Sequence, residues 1–319
     1  HFSLPLQEVE RVEVVTLMDN YSDVLLKDTD VIKRPHRSAG GEIPTDTFLA
    51  EHGLSLLVSV QKGGKRHTIL FDVGYTSMGV PHNLKQLGIN IKDTGIECIV
   101  ISHGHMDHTG ALYPILEMLH RPITLVAHPH AFFSPRYVVR DNGARDRFPL
   151  TLVKSNLEDH GVEIRESKGP TLIADNTILV TGEVERSTDF ETGFPNGFME
   201  QEGELVKDPI SDDQSIVINL KGKGMVLISG CAHAGIINTL RYAGKMTGID
   251  NVQMILGGFH LSGPAFEPII EKTIEKLKEA DPKIIVPMHC TGWKAIKRIS
   301  EAFPAAFILN SVGSRFTLE

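Results

Sequence analysis

Short apolar runs rich in Val, Ile and Leu recur along this chain and stop abruptly at Asp, Asn, Gly or His. Val12–Met18 is one such run; it ends at Asp19-Asn20 and reads as a strand. Leu54–Val60 and Thr68–Phe71, joined through a turn at Gly63-Gly64, predict a hairpin whose second strand runs into Asp72 and Gly74. Residues 82–89 predict a short helix, and Ile96–Ser102 predicts a buried strand that leads straight into His103. Ala111–Leu119 has helical spacing, and Thr124–Ala127 returns to a strand.

The middle of the chain, about 131–212, is less regular. It holds a charged stretch with Arg136, Arg140, Arg145 and Arg147, then a strand pair around 162–181. The long Gly- and Phe-containing segment 182–197 has the character of a lid or binding loop. The second half repeats the style of the first. Ser215–Leu220 and Gly224–Ser229 form a hairpin across Lys221-Gly222-Lys223, followed by Gly230-Cys231-Ala232-His233 and a helix. Val252–Leu256 is a strand ending in Gly257-Gly258-Phe259-His260, and 267–280 is an amphipathic helix with Ile270, Ile274 and Leu277 on one face. Lys283–Met288 is a strand ending in His289-Cys290. Hairpins followed by β-α-β units thus occur twice, and runs this apolar belong to sheets covered on both faces. With no low-complexity linker, the expectation is one α/β domain over residues 1–319, two sheets face to face with helices outside.

Composition narrows the class. Of 319 residues, 41% are hydrophobic and 23% charged, which suits a packed globular chain and excludes global disorder. The net charge of -8 argues against a dedicated nucleic-acid binder, which carries a basic face. Cys98, Cys231 and Cys290 are too few for a disulfide framework and fit a reducing compartment. No apolar stretch approaches the roughly 18 residues that span a bilayer, and His1–Pro5 lacks a leader pattern, so a cytoplasmic protein is expected.

The chemistry concentrates in Ser102-His103-Gly104-His105-Met106-Asp107-His108-Thr109-Gly110. Alternate side chains of an extended segment point the same way, so His103 and His105 can reach one ion together. Asp107 and His108 fall where the strand turns into a helix and can face a second position. Imidazoles and a carboxylate at this spacing suit zinc, iron or manganese. Gly104 and Gly110 allow the backbone to pass close to the ions. Two residues apart on an extended segment, Cys231 and His233 can also point together, Cys231 as a thiolate donor or as a small buried packing residue. His289 and His260 each end an apolar strand. His128 and His130 read as loop histidines, and Cys98 and Cys290 as packing residues. Arg136, Arg140, Arg145, Arg147 and Arg186 are either receivers for an anionic substrate or an ordinary solvated charged segment.

The His-x-His-x-Asp-His pattern between a strand and a helix resembles the hallmark of the metallo-β-lactamase superfamily. The resemblance extends through Asn20, Glu51-His52-Gly53-Leu54-Ser55-Leu56-Leu57, Ile69–Gly74, Ser229–Gly235, Gly257–Leu261 and Pro287–Gly292. Together these are similar to the branch containing archaeal dihydropterin–aminobenzene ribofuranosyl phosphate synthases and many metal-dependent hydrolases. The resemblance implies an αββα four-layer sandwich. It places His103 and His105 at one ion, Asp107 and His108 at a second, and Asp72 beside them as an orienting group. It also implies His289 as the last ligand, with His260 as the alternative or as a substrate-pocket residue. The family's mid-chain histidine is absent, since the comparable strand end is Thr181-Gly182-Glu183, so Glu183 or another residue replaces it. The family's bridging aspartate is likewise replaced, by Cys231, with His233 nearby.

The expected activity is that of a metal-dependent hydrolase using metal-activated hydroxide on a small anionic phosphate-ester or acyl-type substrate, with neither nucleic acid nor membrane as partner. Zinc is the expected cofactor, as one or two ions. Asp107 would position or deprotonate the water, and Asn20 would hydrogen-bond substrate. The alternatives are a pterin-related synthase releasing pyrophosphate, a mononuclear iron persulfide-type oxygenase and a non-catalytic metal-binding module. Freshly purified protein should contain about two zinc or manganese ions per chain by elemental mass spectrometry. A protein that binds no metal even after reconstitution would overturn the assignment of His103–His108.

Overall fold

A computed structural model describes residues 3–35 and 41–319, so the opening residues His1 and Phe2, where a leader was sought, lie outside the described residues. Two large sheets form the body. One carries eight strands in the order Val162–Glu166, Ile123–Ala127, Ile96–Val100, Lys65–Phe71, Ser55–Lys62, Arg11–Met18, Arg315–Leu318, Ile32–Lys33. The other runs Thr171–Ile173, Ile178–Val180, Ser215–Leu220, Gly224–Ser229, Val252–Gly258, Ile284–Met288, with Glu8–Val9 paired alongside Ser215–Leu220.

The period-2 alternation of the strands builds the layers. Val12, Val14, Leu56, Val58, Ile69 and Phe71 of the first sheet meet Ile216, Ile218, Val226, Ile228, Leu256 and Val286 of the second in a shared core. The intervening residues face outward. Val15, Leu57, Leu70 and Ile99 pack beneath the helices Gly79–Gln86 and Leu112–Leu119. Val217, Leu227, Ile255 and Ile285 pack beneath Ile236–Thr247, Ile270–Ala280 and Trp293–Ala302. The central strands of both large sheets are therefore apolar on both faces, the αββα arrangement that the near-continuous apolar runs predict.

Local departures have local causes. The first helix spans Gly79–Gln86 rather than 82–89, because Pro81 is tolerated in a first turn and Gly88, at φ +64°, ends the segment. The helix expected over 267–280 begins at Ile270, after a 3-10 turn at Glu267–Ile269 that accommodates Pro268. Residues 162–181 are not one strand pair. Val162–Glu166 joins the first sheet parallel to Ile123–Ala127, while Thr171–Ile173 and Ile178–Val180 form a hairpin in the second. The charged middle folds into a separate four-stranded sheet of Glu204–Lys207, Gly197–Gln201, Arg136–Val139 and Arg145–Arg147. Among the described residues no helix is long and apolar enough to cross a membrane.

Phe71 is fully buried between the sheets, one residue before Asp72. Phe71→Ala should lower the unfolding free energy by about 3–5 kcal/mol in urea titrations, the range for a large aromatic removed from a packed core. A loss below about 1 kcal/mol would mean that the interlayer core is not closely packed there.

Candidate metal centre

The centre is built at strand ends. Gly224–Ser229, Val252–Gly258 and Ile284–Met288 are parallel neighbours, so their carboxyl ends line one edge of the second sheet. Lys65–Phe71 and Ile96–Val100 do the same in the first sheet. Ligands gather at such carboxyl edges in open α/β sheets. Beyond these ends, Asp72, Ala232, His260 and His289 all take left-handed φ values, between +44° and +57°. Backbone strain of this kind in non-glycine residues concentrates at functional sites.

Two sets of donor atoms converge there. In the first, His103 Nε2 lies 3.0 Å from His105 Nδ1 and 3.2 Å from His233 Nε2, and all three residues are buried. In the second, Asp107 Oδ2 stands 3.5 Å from His108 Nε2 and 3.2 Å from His289 Nε2, and Cys231 Sγ is 3.1 Å from His108 Nε2. Within each set the donor atoms lie within 4.8 Å of one another. The donors are those zinc prefers, and His289 Nε2 is buried without a hydrogen-bond partner, so the residues fit a bound cation. His233 stands with His103 and His105 in one donor set, where it could serve in place of the absent mid-chain histidine. Glu183 does not: its carboxylate sits 4.0 Å from His128 Nε2, outside both sets.

The rings of His103, His108 and His289 are oriented from behind. Asp72 Oδ2 accepts from His108 Nδ1 at 2.6 Å and from Ser102 Oγ at 2.7 Å, while Asp72 Oδ1 accepts from the Ser102 backbone N–H at 2.7 Å. Ser102 Oγ, its proton given to Asp72, accepts from His103 Nδ1 at 3.0 Å. Each remaining ring nitrogen is left to face the centre. His289 is held differently. Its Nδ1 donates to Asn20 Oδ1 at 2.9 Å, and its backbone N–H donates to Asp19 Oδ1 at 2.9 Å. Asn20 is thus a holder of His289 rather than a group free to bind substrate, because its amide oxygen is already engaged there.

Electrostatics separates the two sets. Burial holds His103 and His233 well below the ordinary imidazole range and His105 down at about 4, so these rings are neutral and ready to donate. Burial also acts on His108, but the Asp107 and Asp72 carboxylates outweigh it and raise that ring. Burial would raise Asp107, yet His108 and His289 hold it well below the carboxylate range. Burial pushes the Cys231 thiol up, so its thiolate form needs a cation beside it.

Other expected site residues fall elsewhere. His260 shares a third group with Cys231 and His233, its ring 4.2 Å from that of His233 and beside Phe194 from the long loop. That loop is pinned: Glu191 accepts from the backbone N–H groups of Ile237 and Asn238 at the start of a helix. Arg136 is no anion receiver. It is buried and donates bidentately to Asp212 at 2.9 and 3.0 Å and also to Asp208, while Asp212 accepts from the Gly104 N–H at 2.7 Å. Arg140 pairs with Asp146 on the surface, Arg145 and Arg147 are exposed on the small sheet, and Arg186 donates to the Pro209 carbonyl. His128 caps the turn Pro129–Phe132, accepting from the His130 N–H, as loop histidines do. Cys98 packs between the sheets; Cys290 lies against the Cys231 carbonyl at 3.6 Å. Gly104 and Gly110 serve close packing: a Cβ on Gly104 would meet the Ala131 carbonyl oxygen at 2.2 Å, and one on Gly110 the Tyr75 carbonyl oxygen at 1.7 Å.

The family model of the metallo-beta-lactamase superfamily matches residues 51–289, from the Glu51 segment to His289. The chain belongs to the metallo-β-lactamase superfamily. It is 31% identical, over 94% of both chains, to a Methanocaldococcus jannaschii protein named 7,8-dihydropterin-6-methyl-4-(beta-D-ribofuranosyl)-aminobenzene-5'-phosphate synthase. It is 35% identical to an uncharacterized protein of the same organism, over 80% of this chain and 89% of that one. Among solved structures it resembles Tm1679, described as a metal-dependent hydrolase of the beta-lactamase superfamily, with a TM-score of 0.69, 25% identity and coverage of 97% and 98%.

Sequence reasoning missed Ser102, Asp19, Asn310, Asp212 and His52 as parts of the site. His52 was visible in Glu51-His52-Gly53, where a histidine just before a buried strand is a usable signal. Nothing in the sequence points to Asp212 or Asn310, which come close only through the fold.

Asp72→Asn should weaken zinc affinity about 10–100-fold in competition titrations with a chromogenic chelator, the usual effect of removing a partner behind a ligand. Unchanged affinity would show that Asp72 does not orient His108. Arg136→Met should destabilise the fold by about 3–5 kcal/mol, since it leaves buried carboxylates unpaired. Burial would raise Asp212, but Arg136 outweighs that and holds it below its unfolded value. The pair therefore contributes in full above about pH 4 and loses its contribution as pH falls below that. Asp212→Asn should remove this share of the acid slope of unfolding free energy against pH.

Proposed function

We propose that this metal-dependent enzyme is a hydrolase that cleaves a small anionic ester, phosphate-bearing or acyl-type, with water as the nucleophile. The observation that supports it is the adjacency of the two donor sets, with the His103 and His108 rings 4.3 Å apart and Cys231 and Asp107 between the flanking imidazoles. Ions held there, zinc being the expected one, would bring the pKa of water towards about 7 and polarise the substrate oxygen. Asp107, kept ionised by His108 and His289, would position the attacking water or take its proton. Asp72, Ser102 and Asn20 hold the rings so that no reorientation accompanies the reaction. The burial of both sets keeps bulk water from screening these charges.

A second reading follows from the 31% identity, across nearly the whole chain, to the pterin-related synthase. In it, the aniline nitrogen of the ribosylated aminobenzene phosphate bonds to the pterin methylene carbon and loses a proton as that carbon's bond to the pyrophosphate oxygen breaks. The same residues would then stabilise the departing phosphate oxygens.

Zinc-loaded protein should hydrolyse bis(4-nitrophenyl) phosphate, and Asp107→Asn should reduce kcat by about 100-fold or more while leaving the fold intact by circular dichroism. Pyrophosphate release seen only when the pterin pyrophosphate and the ribosylated aminobenzene phosphate are both present, without ester hydrolysis, would overturn the hydrolase reading in favour of the synthase.

A further inference from the structure

His52 is used by neither donor set, yet the fold fixes it at their mouth. Its backbone is locked from both sides. The Glu51 N–H donates to the Asp19 carbonyl at 3.2 Å, and the Leu54 N–H donates to the Asp107 carbonyl at 3.1 Å. Between them Gly53 is pressed so closely that a Cβ would lie 2.9 Å from the Tyr75 nitrogen and 3.1 Å from the Asp107 oxygen. The Glu51 carboxylate also accepts from the backbone N–H groups of Tyr75 and Thr76, at 2.8 and 3.1 Å. A segment tied to the loops of both Asp19 and Asp107 carries its side chain with them.

The hydrogen bonds around the ring settle which nitrogen holds the proton. Asn20 Oδ1 is taken by His289 Nδ1, so the Asn20 amide nitrogen is the end that faces His52. That nitrogen can only donate, and it lies 3.0 Å from His52 Nδ1, which must therefore accept. The proton of the neutral imidazole is then on Nε2. This Nε2–H lies 3.6 Å from Asp107 Oδ2, beyond a good hydrogen bond, and the His52 ring is 4.7 Å from that of His289. The side chain is 61% exposed while Asp107 and His289 behind it are buried. An oriented N–H donor thus stands at the solvent side of the second donor set, and among the described residues Asp107 Oδ2 at 3.6 Å is its nearest recorded acceptor.

We propose that His52 is a substrate-binding residue whose Nε2–H donates a hydrogen bond to an oxygen of an oxyanion, phosphate or carboxylate, lodged against the Asp107–His108–His289 set. The role extends the reading of an anionic substrate, on which it rests, but it needs no turnover to be seen. A ring that donates from the neutral form recognises the oxyanion without having to gain a proton, and its exposed side chain lets a substrate oxygen reach Nε2 from the solvent side.

The test uses the zinc-loaded protein with inorganic phosphate and, separately, acetate as probes, measured by isothermal titration calorimetry. Metal content is read in parallel. His52→Ala should weaken phosphate binding roughly tenfold, the scale of a lost hydrogen bond to a charged group, with zinc content unchanged. His52→Gln, which keeps an N–H donor, should recover most of that loss. Weakening for phosphate alone identifies phosphate as the oxyanion, and weakening for both extends the role to carboxylates. Unaltered binding of both probes in His52→Ala, or a loss that tracks a loss of zinc, would overturn the proposal, the latter by showing that His52 merely supports Asn20 and His289. Failure of the hydrolase reading would show differently, as an absence of ester cleavage in the wild type with phosphate binding and its dependence on His52 intact.

Discussion

Lone pairs brought together without water to solvate them are the constraint around which this molecule is organised. His103, His105 and His233 point ring nitrogens at one another across 3.0–3.2 Å, and an anionic carboxylate lies within 3.5 Å of two further imidazoles, all out of contact with solvent. His105 Nε2, His233 Nδ1 and His289 Nε2 are buried without hydrogen-bond partners among the described residues, and unpaired buried polar atoms are expensive. A shared cation resolves the conflict. Everything adjacent to these atoms can be understood as geometry imposed to hold them in place until one is bound.

That holding is distributed over the whole chain. Asp72 ends one strand and reaches His108; Ser102 ends its neighbour and joins Asp72 to His103. Asp19, near the start, accepts from the His289 backbone and is itself held by Asn310, close to the end, whose amide oxygen accepts from Thr16. Asp212, tied to Arg136, fastens Gly104 between the first two histidines. Hydrogen bonds therefore bring residues nearly three hundred positions apart in sequence within a few ångströms of one another. The left-handed residues at the strand ends are consistent with this, because strain survives only where the surroundings over-determine the backbone.

Within its superfamily the centre has its own composition. A thiol stands where the resemblance implies a bridging aspartate, and the third imidazole comes from two residues beyond it rather than from the mid-chain loop. A single strand end, Gly230-Cys231-Ala232-His233, thus serves both donor sets, made possible by the left-handed turn at Ala232. The loop freed of the missing histidine instead bears Phe194 against His233 and His260, and is pinned by Glu191 at a helix start where no local side chain caps the backbone. Fold and donor set are shared broadly in such families, so the chemistry rests on the particular groups around the donors.

Much of this was legible along the chain. Apolar runs identified the strands, because a strand covered on both faces has no polar side to interrupt it. The close spacing of His103, His105, Asp107 and His108 after such a strand pointed to a candidate metal centre, and the fold gathers Cys231, His233 and His289 beside them. What the sequence by itself determined is therefore whatever rests on neighbours within a few positions: strand, turn, helix face and the principal donors. The tertiary structure alone decided the pairing of Arg136 with Asp208 and Asp212, the capture of His289 by Asn20, the exclusion of Glu183 and the placing of His52. Those outcomes depend on which distant segments the two sheets bring together, and an arginine beside a buried aspartate reads no differently, in one dimension, from an arginine open to solvent.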